Sequence, residues 1–259
     1  MRKQYSSLLV ACLVSGALWA GDDPFTGKWK ENPSKSTLTD EMKVESAGTN
    51  RYTVTFTPGF AETIVADRTD QPGLRGTTLS ITVEGAGSWK VIRKKQGRTL
   101  LTGVWTLSGD GKTLTDAFTG YQPDGSTLNL HYVYERTAGS SGFIGTWDSV
   151  HEEVDSVIEL QIQPWAGDGL SFINPAAQLT KNIRFDGNDY PNVGPNVDSG
   201  AVSSGRRVDE RSLEITNKFR GVVTNTQRIE ISPDLRTLTM TVRLAGQTRP
   251  KNILVFERE

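Results

Sequence analysis

The chain has 259 residues, with 29 lysines and arginines against 30 aspartates and glutamates, and so a formal net charge of −1. This balance excludes bulk attraction to nucleic acid or to an anionic membrane as the main function, and no nucleic-acid partner is expected. A hydrophobic content of 36% together with 26 glycines excludes a disordered or collagen-like chain, and the length suits one large or two small domains.

The first twenty residues form a predicted secretory signal peptide. Arg2 and Lys3 give it a positive start, residues 8–19 are mostly apolar, and Ala20 is a small residue suited to cleavage. This order is typical of export signals, and the apolar run is shorter than the roughly 20 residues of a membrane-spanning helix. The sequence therefore predicts an exported protein, periplasmic or extracellular, with a signal peptide over 1–20 and no transmembrane segment.

Cys12 is the only cysteine of the chain and lies inside this signal. We interpret it as an ordinary residue of the apolar region, removed by cleavage. The alternative is the lipid-modified cysteine of a bacterial lipoprotein, since Leu9-Val10-Ala11 precedes it, although the apolar stretch is short for such a signal. Cleavage after Ala20 leaves no thiol, which excludes disulfides, zinc–thiolate sites and iron–sulfur clusters.

Residues 37–44 are the one stretch with a helical pattern. Thr37 precedes Asp40 by three positions, which resembles the capping box at a helix start, and a loop or an irregular strand is the alternative. Elsewhere apolar and polar residues alternate with a period of two, as in half-buried strands. Examples are residues 52–56 and 79–83 in the first half and 158–162 and 238–244 in the second.

A cluster of basic residues surrounds a predicted turn at 96–97. It consists of Lys90, Arg93, Lys94, Lys95 and Arg98. A lysine-rich hairpin is an ordinary means of keeping a sheet edge soluble. We therefore expect a solvated hairpin, and contact with an anionic surface is the second hypothesis.

The second half of the chain repeats the first half. The segment Phe-Thr-Gly-Lys-Trp at 25–29 returns as Phe-Ile-Gly-Thr-Trp at 143–147, and Val-Tyr-Glu-Arg at 133–136 returns as Val-Phe-Glu-Arg at 255–258. Two further matches lie between them in the same order. Four collinear matches indicate a tandem duplication.

The duplication sets the predicted domain boundaries. The segment Ala-Gly-Ser-Ser-Gly at 138–142 is a flexible linker by composition. The prediction is a first domain over 21–137, a linker over 138–142 and a second domain over 143–259. Short strands separated by turn signals, with no convincing amphipathic helix, indicate that both domains are antiparallel sandwiches or barrels.

The two ends of each repeat resemble the calycins, the family of lipocalins and intracellular fatty-acid-binding proteins. The resemblance rests on Phe-x-Gly-x-Trp in the first strand and Val-Tyr/Phe-Glu-Arg at the end of the last. Residues 29–36 and 185–191 are also similar to motifs of uncharacterised secreted bacterial lipocalin-like domains. The resemblance implies an all-β fold of two tandem antiparallel up-and-down β-barrels, each around one ligand.

The resemblance also implies how each barrel is closed. In lipocalins the early tryptophan closes the base of the barrel, and an arginine at the end of the last strand lies across it. Carried over to this chain, this pairs Trp29 with Arg136 and Trp147 with Arg258. A guanidinium on an indole face contributes about 0.5–2 kcal/mol, so the implied role is structural.

Fatty-acid-binding proteins hold the lipid carboxylate with Arg-x-Tyr on the last strand. The matching positions are Tyr132 and Tyr134 in the first repeat and Leu254 and Phe256 in the second. Because the arginine is missing from both, a buried carboxylate would lack a partner, and an uncharged apolar ligand, or none, is expected. The candidate interior residues are Leu128, Leu130, Tyr132, Tyr134, Leu254 and Phe256.

No catalytic residue, metal site or cofactor is predicted. The chain lacks the nucleophile elbow, the Walker loop, the dinucleotide fingerprint, the His-Glu-x-x-His motif and the EF-hand loop. His151, Glu152 and Glu153 would offer ligands to a divalent ion, and an exposed acidic loop is the preferred alternative. Aspartates that recur in both repeats are interpreted as turn residues: Asp67, Asp70, Asp186 and Asp189.

Three hypotheses of function follow. The leading one is an exported binding protein for a small, apolar, uncharged molecule held inside one or both barrels. The second is a cell-envelope interaction module with solidly packed barrels and no small-molecule ligand. The third is a hydrolase-type enzyme at a barrel mouth, which is disfavoured because the chain has only two histidines and no recognisable nucleophile.

Overall fold

The computed structural model describes residues 23–57, 60–154, 157–246 and 252–259. Within these ranges the chain forms twenty β-strands, one 3₁₀ turn at Leu74–Gly76 and no α-helix. The strands of the first half are β1 (Gly27–Glu31), β2 (Glu41–Gly48), β3 (Arg51–Thr57), β4 (Phe60–Val65), β5 (Gln71–Pro72), β6 (Thr77–Gly85), β7 (Ser88–Lys95), β8 (Arg98–Leu107), β9 (Thr113–Tyr121) and β10 (Thr127–Ser141). The strands of the second half are β11 (Ile144–Val154), β12 (Glu159–Trp165), β13 (Gly169–Asn174), β14 (Leu179–Ile183), β15 (Tyr190–Val193), β16 (Ala201–Asp209), β17 (Ser212–Phe219), β18 (Val222–Ile231), β19 (Thr237–Leu244) and β20 (Asn252–Arg258).

These strands form two antiparallel sheets of ten strands each, which confirms the predicted all-β fold with two barrels. Barrel 2 contains β1 and β12 to β20, and it is closed because β1 pairs with both β12 and β20. Barrel 1 contains β2 to β11 in the order β4-β3-β2-β11-β10-β9-β8-β7-β6-β5. It is nearly closed, and beside the open edge the amide of Arg68 donates to the carbonyl of Ile81 at 3.0 Å.

The two barrels exchange their first strands. Strand β1 of the first repeat lies in barrel 2, and strand β11 of the second repeat lies in barrel 1 between β10 and β2. The barrels therefore divide the chain differently from the predicted segments 21–137 and 143–259. Each barrel contains nine strands of its own repeat and one strand of the other.

The segment at 138–142 explains this exchange, because it is a hairpin rather than a linker. Strand β10 continues to Ser141, which pairs with Ile144 of β11 across a turn at Gly142. Gly142 has a φ of 52°, and a Cβ atom on Gly139 would lie 2.8 Å from the Cα atom of Gly145. This tight turn returns β11 to β10, so the chain enters barrel 2 only after β11.

The predicted helix at 37–44 is absent, and β2 begins at Glu41 instead. Thr37 forms an isolated bridge to Ile253 of barrel 2, with two backbone hydrogen bonds of 2.7 Å. These bonds use the backbone groups that a helix would need, so the interpretation of Thr37 as a helix cap is wrong. The segment after β1 makes a turn at 33–35 and then crosses from barrel 2 to barrel 1 without a helix.

The exchange also changes the predicted closure pairs. The guanidinium of Arg258 lies 4.2 Å from the ring centre of Trp29, and that of Arg136 lies 4.1 Å from the ring centre of Trp147. The expected pairing of Trp29 with Arg136 and Trp147 with Arg258 is therefore wrong. All four residues do form tryptophan–arginine stacks, because each exchanged strand carries the same Phe-x-Gly-x-Trp segment into the other barrel.

The predicted signal peptide over 1–20, including Cys12, lies outside the described residues. In the described part of the chain, no helix has the length and apolar character needed to cross a membrane.

Candidate functional site

The interior of barrel 1 contains a cavity of about 220 Å³. It lies above the apolar core that Met42, Val54, Ile64 and Leu114 help to form. Its lining residues are Asp40, Phe56, Leu79, Val91, Arg93, Leu101, Trp105, Asp116, Phe118, Tyr132 and Tyr134. They come from β3, β6, β7, β8, β9, β10 and the residue before β2, so six of the ten strands contribute to the site.

Aromatic rings form one side of this cavity. Tyr132 stacks between Phe118 and Tyr134, with ring centres 5.9 Å and 5.7 Å apart. Phe56 meets Trp105 edge to face at 6.1 Å. Inward positions recur every second residue along a strand, which brings both tyrosines of β10 to the same side. Such a wall favours a planar apolar group.

Asp116 places a carboxyl group among these rings. Its side chain is buried, and in the described part of the chain its Oδ1 atom has no hydrogen-bond partner. Burial raises its pKa to about 7, with a smaller contribution from Asp40, and a hydrogen bond from Trp105 opposes the rise. Gly103 leaves room for this carboxyl, because a Cβ atom there would lie 3.2 Å from Oδ1. Asp116 is therefore a polar group that the protein leaves without a full set of partners.

Further acidic groups lie beside the tyrosines. The hydroxyl of Tyr134 donates to Oδ2 of Asp40 at 3.0 Å. Glu152 pairs with Tyr132 across β10 and β11, and burial raises the Glu152 pKa to about 7. Burial also raises the pKa of both tyrosines, with further increases from these carboxyl groups. Both hydroxyls are therefore protonated at neutral pH.

An ion pair lies at the mouth of barrel 1. Arg93 bonds to Glu62 and donates from Nη1 to Thr77 Oγ1 at 2.8 Å. The amide of Leu74 donates to Glu62 Oε2 at 2.9 Å. Glu62 is almost fully buried, and its charge is compensated by these donors. Arg93 therefore borders the cavity as a paired cation.

Barrel 2 carries apolar residues at three neighbouring positions that line the cavity in barrel 1. A row of cross-strand neighbours in barrel 1 consists of Trp105, Asp116 and Tyr132. The equivalent row in barrel 2 consists of Ile229, Met240 and Leu254. These three side chains pack into the core of barrel 2. The two repeats thus share a backbone pattern but differ in the chemistry of their interiors.

The structure brings together only two of the six predicted interior residues at this cavity, Tyr132 and Tyr134. Leu254 and Phe256 pack in the core of barrel 2. Leu128 is half-buried, and Leu130 lies at a separate shallow depression beside His131 and Glu153. Alternation places both leucines on the same face of β10 as the two tyrosines. The cavity begins only at Tyr132, so the leucines share the face but do not line the cavity.

The sequence interpretation missed the acidic and several aromatic lining residues. Asp116 alternates with Leu114 and Phe118 along β9, and this pattern predicts that its side chain points inward. A second signal is that the equivalent position of the second repeat holds the apolar residue Met240 instead of an aspartate. Asp40 had no such signal, because it precedes β2 in the segment that crosses between the barrels.

The predicted basic cluster does not form one surface. Arg93 points into barrel 1, Lys94 pairs with Asp70 at 3.0 Å, and Lys90 is exposed. Two members contact barrel 2 at the groove between the barrels. These contacts are Lys95 to Asp198 at 2.7 Å and Arg98 to Asn196.

His151, Asp67 and Asp186 each interact with residues close to them in the sequence. His151 is exposed and lies 3.4 Å from Glu153. Among the described residues, no group of three or more His, Cys, Asp or Glu side chains is placed to hold a metal ion. Asp67 and Asp186 accept bonds from the backbone two residues on, as turn residues do.

Comparison of the chain with protein-family models, with curated proteins and with solved structures finds no match.

Proposed function

We propose that the protein binds a small, largely apolar, uncharged molecule inside barrel 1. The observation that carries this proposal is the contrast between the two repeats. The row Trp105, Asp116 and Tyr132 lines a cavity, whereas the equivalent row of barrel 2 is packed. A structural role alone would be served by the packed version in both barrels, since leaving a buried carboxyl oxygen without a partner costs stability.

The cavity limits the size and chemistry of this ligand. Its volume of about 220 Å³ is below the roughly 300–1,000 Å³ of typical pockets, so the ligand is small. The stacked rings of Phe118, Tyr132 and Tyr134 favour a planar apolar body. The free Oδ1 atom of Asp116 favours a ligand that donates one hydrogen bond. A ring that carries a hydroxyl or an N–H group meets all three conditions.

The other hypotheses account for less of the structure. A solidly packed interaction module describes barrel 2 but leaves the cavity of barrel 1 without a role. We also propose that the protein is exported and belongs to the lipocalin-like family. A secreted barrel with one open interior would serve as a carrier or scavenger of small molecules.

A second candidate ligand is a protonated aromatic amine. Asp116 favours it, because an ammonium group would satisfy the free oxygen and lower the Asp116 pKa from its value of about 7. The amine would bind more tightly as the pH rises through 7, when Asp116 ionises. A neutral donor shows no such increase.

Titration of the full chain with phenol, benzylamine and toluene, followed by NMR, tests the proposal. Phenol should saturate and shift the signals of Trp105 and Gly103, and toluene should bind at least tenfold more weakly. Asp116→Met should abolish phenol binding, while Met240→Leu in barrel 2 should leave it unchanged. Tighter binding of benzylamine above pH 7 would favour the amine, and failure of all three probes to shift these signals would contradict the proposal.

A further inference from the structure

A half-buried lysine lies at the mouth of barrel 2, above its apolar core. Lys181 of β14 points inward, and its Nζ atom donates to Asn217 Oδ1 at 2.8 Å. The same oxygen accepts a bond from Ser203 at 2.9 Å, and Asn217 Nδ2 donates to Asn225 at 2.7 Å. These bonds fix the amide and the hydroxyl, but they bring the ammonium group no negative charge.

The carboxylates near Lys181 are already used by other cations. Asp198 lines the same cavity and pairs with Lys95 at 2.7 Å. Lys218 also lines it and pairs with Asp189 at 2.8 Å. Among the described residues, no carboxylate lies within 4.0 Å of the Lys181 ammonium group. A buried ammonium ion without a counter-charge is costly.

Comparison with barrel 1 shows that the group missing beside Lys181 is a negative charge. Glu62 of β4 pairs across the sheet with Val54, as Lys181 of β14 pairs with Phe172, so the two residues are equivalent. Arg93 and Asn217 are equivalent by the same comparison of β7 with β17. In barrel 1 these two positions form an ion pair. In barrel 2 they hold a cation and an amide, and the negative partner is absent.

The space beside Lys181 fits a small anion. It is a cavity of about 230 Å³ lined by amides, by Lys218 and by the ring of Phe219. It continues into a groove of about 360 Å³ between the barrels, because both share Arg75, Asn196 and Asp198. The guanidinium of Arg75, a further cation at this mouth, lies 5.4 Å from the Phe219 ring centre.

The core below the lysine limits the length of the anion. Ile183 follows Lys181 on the inward side of β14 and pairs with Leu170 of β13, and both pack with Ile215 in the core of barrel 2. An acyl chain cannot pass through this packed layer. The body of a ligand held at Lys181 must therefore lie in the mouth and the groove.

We propose that Lys181 anchors the carboxylate of a short organic acid at the mouth of barrel 2. One carboxylate supplies the single negative charge that Glu62 supplies in barrel 1. The organic body lies against Phe219 in the groove between the barrels. This site is separate from the cavity of barrel 1 and does not depend on the function proposed for it.

The test uses the full chain with labelled lysine ammonium groups and benzoate as the probe. Benzoate should shift the Lys181 signal saturably, and it should raise the pKa of Lys181, which burial lowers to about 8. Binding should therefore weaken as the pH rises above 8, since the neutral amine does not attract an anion. This measurement needs no variant, so it stands even where a substitution at Lys181 disturbs folding.

Variants and further probes complete the test. Lys181→Gln and Lys181→Met should each weaken benzoate binding at least tenfold. The control Lys30→Gln, at an exposed lysine of β1 outside the cavity, should change it less than twofold. Inorganic phosphate and dodecanoate should bind more weakly than benzoate. An unchanged Lys181 signal, binding that survives both Lys181 substitutions, or tighter binding of phosphate or dodecanoate would overturn the proposal.

Discussion

At the scale of single residues, the burial of Asp116 lowers the stability of the native state at neutral pH. The native state holds the Asp116 proton more tightly than the unfolded chain, because burial raises the pKa from 3.8 to about 7. Between these two pKa values the native state binds more protons than the unfolded state, so stability falls as the pH rises. This is opposite in sign to an exposed turn aspartate such as Asp67, whose lowered pKa gives stability that is lost only on acidification.

The first prediction concerns Asp116→Asn, which imitates the protonated carboxyl. Above pH 7 the variant should be more stable than the parent by up to about 4 kcal/mol, the free energy of a pKa shift of about three units. Below pH 4 the two should be equal. Urea unfolding at pH 4, 6 and 8 measures the difference.

The matched control for this prediction is Asp67→Asn. It should leave the slope of stability between pH 5 and 8 unchanged, because the Asp67 pKa lies below that window. Glu152 retains part of the slope in every variant, since its pKa is also raised to about 7. Identical slopes in the parent and Asp116→Asn would show that Asp116 is not buried as an uncompensated carboxyl.

At the scale of elements, the short β10–β11 hairpin decides how the repeats share their strands. Both first strands carry Phe-x-Gly-x-Trp, so either can fill the same place in either barrel. In both places the indole donates to a backbone carbonyl four residues earlier at 2.9 Å, from Trp29 to Phe25 and from Trp147 to Phe143. The connection, rather than the strand sequence, therefore selects the partner.

The second prediction tests this exchange with engineered disulfides in a chain that carries Cys12→Ser. Lys30 pairs directly with Glu257 in barrel 2, and both side chains are exposed. The pair Lys30→Cys and Glu257→Cys should oxidise to an intramolecular disulfide. The control pair Lys30→Cys and Glu135→Cys should stay reduced, since Glu135 lies in barrel 1 opposite Asp148. The reverse pattern would mean that each repeat keeps its own first strand.

Much of the fold is readable from the sequence, and the exchange shows the limit. The period-two alternation and the four repeated motifs give the strands, the duplication and the all-β class. The segment at 138–142 has the composition of a linker, yet its glycines serve a tight turn. Composition does not separate these two roles, because glycine and serine suit both. Only the spatial pairing of β11 decides between them.

The candidate site was partly readable for a similar reason. Tyr132 and Tyr134 follow from alternation on β10, and both line the cavity. Asp116 and Trp105 become neighbours only through the register of β8 and β9. A cavity is a property of several strands at once, so no single strand pattern reveals it.

At the scale of the whole molecule, duplication has produced two different interiors. Barrel 1 contains a small aromatic cavity with a free carboxyl oxygen, and barrel 2 contains a packed core below a half-buried lysine. The exchanged strands and the Lys95–Asp198 ion pair join the two barrels across the groove. We infer that barrel 1 holds the apolar ligand in its interior, while the packed interior of barrel 2 supplies the stable half of the scaffold and leaves only its mouth for the proposed acid site.

Native mass spectrometry of the full chain, purified from its own host without organic solvent, tests whether barrel 1 carries a ligand. The parent chain should carry a bound small molecule that is retained in Lys181→Gln and in Met240→Leu. The adduct should be lost in Asp116→Met, which places the barrel 2 residue into barrel 1. A ligand-free mass for the parent chain, or an adduct that persists in Asp116→Met, would contradict the account.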